Sequence, residues 1–115
     1  FIVFEVENDH FDFPFLTIAN QLPGVGEAVF AIGNPRGLEH TLSKGIVSSL
    51  RENETMIQTT TEITHGSSGS PLVNMKGEVI GITTTGVGEA DLNFAMNIFM
   101  NSFVLNFVVY LLRIL

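Results

Sequence analysis

The stretch that decides the fold of this chain is Gly66-Ser67-Ser68-Gly69-Ser70-Pro71, followed directly by the apolar segment Leu72-Val73-Asn74. A serine between glycines can project its hydroxyl from a tight turn, because glycine adopts backbone angles that a Cβ forbids. The same freedom lets backbone amides converge on one point, as an oxyanion hole requires. Glycine and serine also fill ordinary turns, so the pattern gains its weight from the strands that are predicted on both sides of it.

Short apolar runs separated by turn residues predict an all-β domain. Eleven glycines, ten phenylalanines and many β-branched runs favour strands over helices. Short strands at this spacing indicate a closed β-barrel or a sandwich. The predicted strands are residues 2–6, 16–18, 28–33, 45–50, 56–59, 71–74, 79–85 and 92–98.

Three blocks of sequence occur in a familiar order. They are Val29-Phe30-Ala31-Ile32-Gly33-Asn34-Pro35-Arg36-Gly37-Leu38, then Ile57-Gln58-Thr59 with the serine loop, and Leu92-Asn93-Phe94-Ala95-Met96. From residue 24 to residue 98 the chain resembles the second half of a trypsin-like peptidase domain of the HtrA/Deg type. The resemblance implies the second six-stranded β-barrel of a two-barrel fold. It also implies a serine endopeptidase that hydrolyses polypeptides through an acyl-enzyme, without a cofactor or metal.

The resemblance assigns roles to individual residues. Ser68 would be the nucleophile, and the backbone N–H groups of Gly66 and Ser68 would form the oxyanion hole. Thr84, Thr85 and Gly86 match the strand that holds a substrate backbone as an added strand. The candidates for the primary specificity pocket are Ile63, Phe94 and Ala95, of which Phe94 and Ala95 are equally well explained as core residues.

Glu62 lies six residues before Ser68, where trypsin-like enzymes have the floor of the specificity pocket. A carboxylate there would select Lys or Arg by charge pairing. The HtrA/Deg group usually has a small apolar residue at this place, so a solvated loop acid is the favoured interpretation of Glu62. Ile63 beside it could instead cap an apolar pocket that accepts small aliphatic side chains.

Five positions depart from the family pattern. Ser67 stands where the family usually has Asn, and Ser70 where it has Gly; both are small, so the loop should still close. Thr60 replaces a common Asp, His65 a Pro, and Asn97 a Pro. None of the five removes the nucleophile.

The N-terminal run at residues 2–6 resembles the family strand that directly follows the catalytic Asp. We therefore expect the Asp and His of the triad to lie ahead of this sequence, and the chain alone to be an inactive fragment. Residues 1–8 would be the remnant of the last strand of the first barrel and residues 9–98 the second barrel. His10, His40 and His65 are interpreted as surface histidines, and they also lack a metal-ligand spacing.

Composition limits the partners. The net charge of −7, with acids scattered along the chain, argues against nucleic acid as a partner. The absence of cysteine favours an organellar, periplasmic or intracellular setting over a disulfide-rich extracellular one. The resemblance allows for a homo-oligomer, which no residue here specifies.

Residues 99–115 are almost entirely apolar. They fall short of the ~20 residues of a bilayer span, so a C-terminal helix packed on the barrel is favoured over a membrane-associated segment or unrelated sequence. The alternative function for the whole chain is a catalytically inactive peptidase-like barrel that binds peptides or serves in assembly; the changes at Thr60, His65 and Ser70 favour it.

Overall fold

A computed structural model describes residues 15–33, 41–63, 67–84 and 92–99 of the chain. These residues form six strands: β1 (Ala28–Gly33), β2 (Thr41–Arg51), β3 (Met56–Thr59), β4 (Pro71–Asn74), β5 (Val79–Thr83) and β6 (Asn93–Asn97). No helix within the described ranges is long and apolar enough to cross a membrane.

The six strands form one closed barrel in which every neighbouring pair is antiparallel. The order around the barrel is β1-β2-β3-β6-β5-β4, and β4 closes it by pairing with β1. Closure leaves no strand edge unpaired, which removes the main aggregation hazard of a sheet. The all-β prediction is therefore confirmed, and of the two predicted architectures the barrel is the one that forms.

Three strands have the predicted bounds, namely β1, β3 and β4. β2 begins at Thr41, earlier than predicted, because its first four residues, three of them polar, pair with β1 up to Gly33. The strand predicted at residues 16–18 is wrong: Ile18 makes one isolated parallel bridge to Val79. The strand predicted at residues 2–6 and, apart from Phe99 in a turn, the helix predicted at 99–115 lie outside the described residues.

The barrel interior is filled by the inward-facing residues of all the strands. The core cluster consists of Ala19, Val29, Ala31, Val47, Ile57, Leu72, Ile80 and Ala95, all of them buried. Side chains alternate across a strand, so Phe30 lies on the outer face and packs against a second cluster of Val73, Val79 and Ile98. The buried residues of this cluster are thus all aliphatic, and the partly buried Leu50 and Phe99 pack against them.

The connection from β3 to β4 links two strands that are not neighbours, and it carries the serine loop. β3 lies between β2 and β6, whereas β4 lies between β1 and β5. In the β1–β4 register Ala31 is opposite Leu72, and in the β4–β5 register Pro71 is opposite Ile82. Continued by two steps in the first register and by one step in the second, they bring Ser70 between Gly33 and Thr83, the last residues of β1 and β5.

The turn between β2 and β3 has an unusual backbone. Glu52, Asn53 and Glu54 have φ values of 52°, 53° and 66°, a region that costs a residue with a Cβ roughly 1–2 kcal/mol. Asn97, fully buried at the end of β6, holds this turn. Its side-chain amide donates to the Glu54 carbonyl at 2.8 Å, and its backbone N–H donates to the Thr55 carbonyl at 2.8 Å. A proline, which the resemblance leads us to expect at this place, could make neither bond.

We predict that Asn97→Ala lowers the free energy of unfolding of the full-length protein by about 1–3 kcal/mol, because the Glu54 carbonyl loses the donor that the buried Asn97 side chain supplies. Chemical denaturation measures this change. The same substitution at the exposed Asn20 is the control and should stay within about 0.5 kcal/mol of wild type. Equal effects at the two positions would show that the turn does not depend on Asn97.

Candidate active site

The serine loop contains a tight turn with Ser68 at its tip. The Ser70 N–H donates to the Ser67 carbonyl at 3.2 Å, which closes a four-residue turn. Gly69, the third residue, has a φ of +85°, as a type II turn requires at that place. The sequence Ser-Ser-Gly-Ser therefore folds this way locally because its only residue without a Cβ stands where the backbone turns left-handed.

The three serines of the loop differ in their exposure. Ser67 is only 5% exposed and Ser70 is half-buried, whereas Ser68 is exposed to solvent. Ser68 is thus the solvent-exposed residue among the three serines. Gly66, the other predicted contributor to an oxyanion hole, lies outside the described residues.

Thr83, the last residue of β5, forms hydrogen bonds with the turn through both its side chain and its backbone. Its side chain is 2% exposed, and its hydroxyl lies 2.5 Å from the Ser67 carbonyl and 3.1 Å from the Ser70 carbonyl. The same hydroxyl accepts a hydrogen bond from the Ser70 N–H at 3.1 Å. The Thr83 backbone adds two bonds, one from its N–H to the Ser70 carbonyl and one from the Gly69 N–H to its own carbonyl, at 2.9 and 2.8 Å.

Gly33, the last residue of β1, packs against the other side of the turn. A Cβ built on Gly33 would lie 2.9 Å from the Ser70 Oγ, 3.1 Å from the Ser67 Oγ and 3.3 Å from the Ser67 Cα. The space that a side chain would fill at residue 33 is thus taken by the two serine hydroxyls. Gly33 and Thr83 together enclose the turn below its exposed tip.

Of the predicted substrate-binding residues, Thr84 directly follows β5. Both the N–H and the hydroxyl of Thr84 donate to the Phe94 carbonyl, at 2.9 and 3.1 Å. Thr84 therefore extends the pairing of β5 with β6 beyond Thr83. Thr85 and Gly86 lie outside the described residues.

Phe94 and Ala95 lie on opposite faces of β6. Ala95 is fully buried in the core cluster. Phe94 is half-buried and borders a surface hollow that is also lined by Arg51, Glu52, Gln58 and Leu92.

Residues 62 and 63 precede the loop. Glu62 is exposed, while Ile63 is buried and its N–H donates to the Asn93 Oδ1 at 3.3 Å. His10, His40 and His65 lie outside the described residues. Within the described part of the chain, no group of three His, Cys, Asp or Glu side chains could hold a metal ion.

Sequence reasoning missed the roles of Gly33 and Thr83. Both are the last residues of strands, and both flank Ser70 in registers that the sequence does not reveal. A signal for Gly33 was present in the block Ala31-Ile32-Gly33, where a glycine ends an apolar strand; such glycines often mark close backbone approach.

Comparisons with known proteins agree with this geometry. A family model described as "Trypsin-like peptidase domain" matches residues 1–82. A probable periplasmic serine endoprotease, DegP-like, of Pseudomonas putida is 48% identical over 84 residues, which are 64% of this chain and 18% of that protein. Protease Do-like 1, chloroplastic, of Arabidopsis thaliana is 46% identical over 70 residues, 52% of this chain and 16% of its own length.

A solved structure is also similar over most of the chain. The serine endoprotease of Yersinia pestis has a TM-score of 0.77 and 32% identity, covering 90% of this chain and 39% of that one. These similarities confirm the resemblance that the three sequence blocks indicated. The chain spans less than a fifth of the length of the two curated relatives named above.

We predict that Gly33→Ala lowers the free energy of unfolding by about 1–3 kcal/mol, because the new Cβ overpacks the serine turn. Ser70→Ala in the same protein should recover part of this loss, since it removes the closest atom. Chemical denaturation of wild type, both single variants and the double variant measures the coupling.

Gly24→Ala is the matched control for Gly33→Ala. A Cβ at residue 24 would have its nearest neighbour 4.0 Å away, so this variant should stay within about 0.5 kcal/mol of wild type. Strictly additive effects of Gly33→Ala and Ser70→Ala would contradict the packing described.

Proposed function

Because this chain belongs to the trypsin-like peptidase family, in its HtrA/Deg group, we propose that it carries the nucleophile of a serine endopeptidase, Ser68. The observation that supports this most is the contrast within one turn: Ser68 is exposed at the tip, while Ser67 is buried and Ser70 half-buried. A nucleophile must reach the substrate carbonyl, and the rest of its loop must stay fixed.

In the proposed reaction the Ser68 Oγ attacks the carbonyl carbon of a peptide bond. Its proton passes to a histidine, which an aspartate orients, and then to the leaving amine as the C–N bond breaks. The acyl group remains on Ser68 until water, deprotonated by the same histidine, releases it. The N–H groups of Gly66 and Ser68 stabilise the oxyanion in both steps.

The histidine and aspartate belong, in this proposal, to the part of the protein ahead of Phe1. A serine hydroxyl is a weak nucleophile without a base, and removing one from such a triad costs on the order of a million-fold in turnover. The 115-residue chain by itself is therefore proposed to be inactive, and the full-length protein active.

The proposed substrates are polypeptides that add a strand beside residues 84–86. Main-chain pairing of this kind gives affinity that does not depend on substrate sequence. Ile63 and Phe94 are proposed to line the pocket for the side chain next to the cleaved bond, whereas Ala95, on the other face of β6, belongs to the core. An apolar pocket there would favour small aliphatic side chains over Lys or Arg, with Glu62 left in solvent.

A fluorophosphonate probe tests the nucleophile directly. Attack of the Ser68 Oγ on phosphorus expels fluoride and leaves the probe bonded to oxygen. We predict that the full-length protein is labelled, that mass spectrometry locates the adduct on Ser68, and that Ser68→Ala removes both labelling and peptidase activity. Ser67 and Ser70, in the same tryptic peptide, are the internal controls and should remain unmodified.

The result that would count against the proposal is a folded full-length protein that the probe does not label. That result, together with binding of unfolded polypeptide, would instead support the inactive peptidase-like barrel as a peptide-binding or assembly module. The sequence ahead of Phe1 separates the same two functions, because only the enzyme needs a histidine and an aspartate there.

A further inference from the structure

We infer that Thr83 is a positioning residue for the nucleophile: its side-chain hydroxyl fixes the turn that presents Ser68. This inference rests on the proposed function of Ser68. Thr83 itself is buried and forms no part of the exposed tip, so it would act through the turn and never touch the substrate.

The contacts of the hydroxyl support this role. A hydroxyl has one proton to donate and two lone pairs that accept. The Thr83 hydroxyl uses its proton on the Ser67 carbonyl, the nearer of the two carbonyls, at 2.5 Å, and accepts from the Ser70 N–H at 3.1 Å. It therefore joins the residue before Ser68 to the second residue after it, spanning the nucleophile from both sides.

The fold does not need this hydroxyl to satisfy the backbone. The Ser67 carbonyl also accepts from the Ser70 N–H at 3.2 Å, and the Ser70 carbonyl also accepts from the Thr83 N–H at 2.9 Å. Each carbonyl thus keeps a partner when the hydroxyl is removed. The Thr83 hydroxyl is therefore not required for the hydrogen bonding of these carbonyls. Its additional bonds instead restrict the positions that the turn can adopt.

Replacement of the hydroxyl by a methyl group would move the turn. Carbon and oxygen approach no closer than about 3.3 Å, whereas the hydroxyl of Thr83 lies 2.5 Å from the Ser67 carbonyl. In Thr83→Val the turn must therefore shift by most of an ångström. A displacement of about 1 Å at a reacting group can cost about a hundredfold in rate.

Three variants of the full-length protein test this inference. Thr83→Val replaces the hydroxyl by a bulkier methyl group, and Thr83→Ala removes the hydroxyl without adding a group in its place. Thr83→Ser keeps the hydroxyl. The measurement is the second-order rate of fluorophosphonate labelling per folded molecule, with folding checked by thermal unfolding. We expect labelling to fall about 10- to 100-fold in Thr83→Val, about 10-fold in Thr83→Ala, and no more than about 3-fold in Thr83→Ser.

Peptidase kinetics add a readout that a merely structural role would not move. Loss of positioning should lower kcat and leave KM within about threefold, because substrate pairing does not involve the Thr83 hydroxyl. The matched control is Thr59→Val. Thr59 is also 2% exposed, and its hydroxyl bonds to the Ile46 carbonyl at 2.9 Å and to the N–H and hydroxyl of Thr61 at 3.1 and 2.8 Å, none of which belongs to the serine turn. Its labelling rate per folded molecule should stay within about twofold of wild type.

Each outcome decides between the two claims. A folded wild-type protein that is not labelled overturns the proposed function and this inference with it. If wild type is labelled at Ser68, wild-type rates in both Thr83→Val and Thr83→Ala overturn the inference alone. So does a Thr83→Ser variant as slow as Thr83→Ala, or a Thr59→Val variant that loses as much rate as Thr83→Val.

Discussion

The registration of β4 between β1 and β5 is the constraint on which the candidate site depends. It brings Ser70 opposite Gly33 on one side and Thr83 on the other. Ser70 is the last residue of the turn and directly precedes β4, so its position fixes the turn relative to the barrel. A slip of either register by one residue would turn every side chain of β4 to the other face. The aliphatic core, which includes Leu72 of β4, makes such a slip costly, and in this way barrel packing determines where Ser68 stands.

The candidate site consists of an exposed tip, Ser68 and Gly69, and of more buried residues that hold this tip in place. Ser68 and Gly69 protrude, and neither residue contributes to the core. Ser67 and Ser70, which replace the family's Asn and Gly, fit because Gly33 has no Cβ and leaves room for their hydroxyls. Asn97 shows the same pattern elsewhere, because it replaces a proline and holds a strained turn with its two donors. The departures from the family pattern at these three positions are thus accommodated by named contacts in the barrel.

The sequence predicted local structure well and long-range placement poorly. Strands β1 and β4 have the predicted bounds because an apolar run in each of them ends at a turn residue, Gly33 and Asn74. The prediction of a strand at 16–18 is wrong because only Ile18 pairs with the barrel, by its isolated bridge to Val79, while Leu16 is exposed. Thr83 gave no signal, because the pairing that brings it below Ser70 depends on closure of the barrel. Gly66, Thr85 and Gly86 fall outside the described residues, so their roles remain proposals.

The most direct measurement is a crystal structure of the full-length protein after reaction with a small fluorophosphonate. The account predicts phosphorus bonded to the Ser68 Oγ at the tip of the turn. It also predicts the Thr83 hydroxyl between the Ser67 carbonyl and the Ser70 N–H, with Gly33 against both serine side chains. Electron density that shows the Ser68 side chain turned into the protein, or phosphorus on another residue, would contradict it.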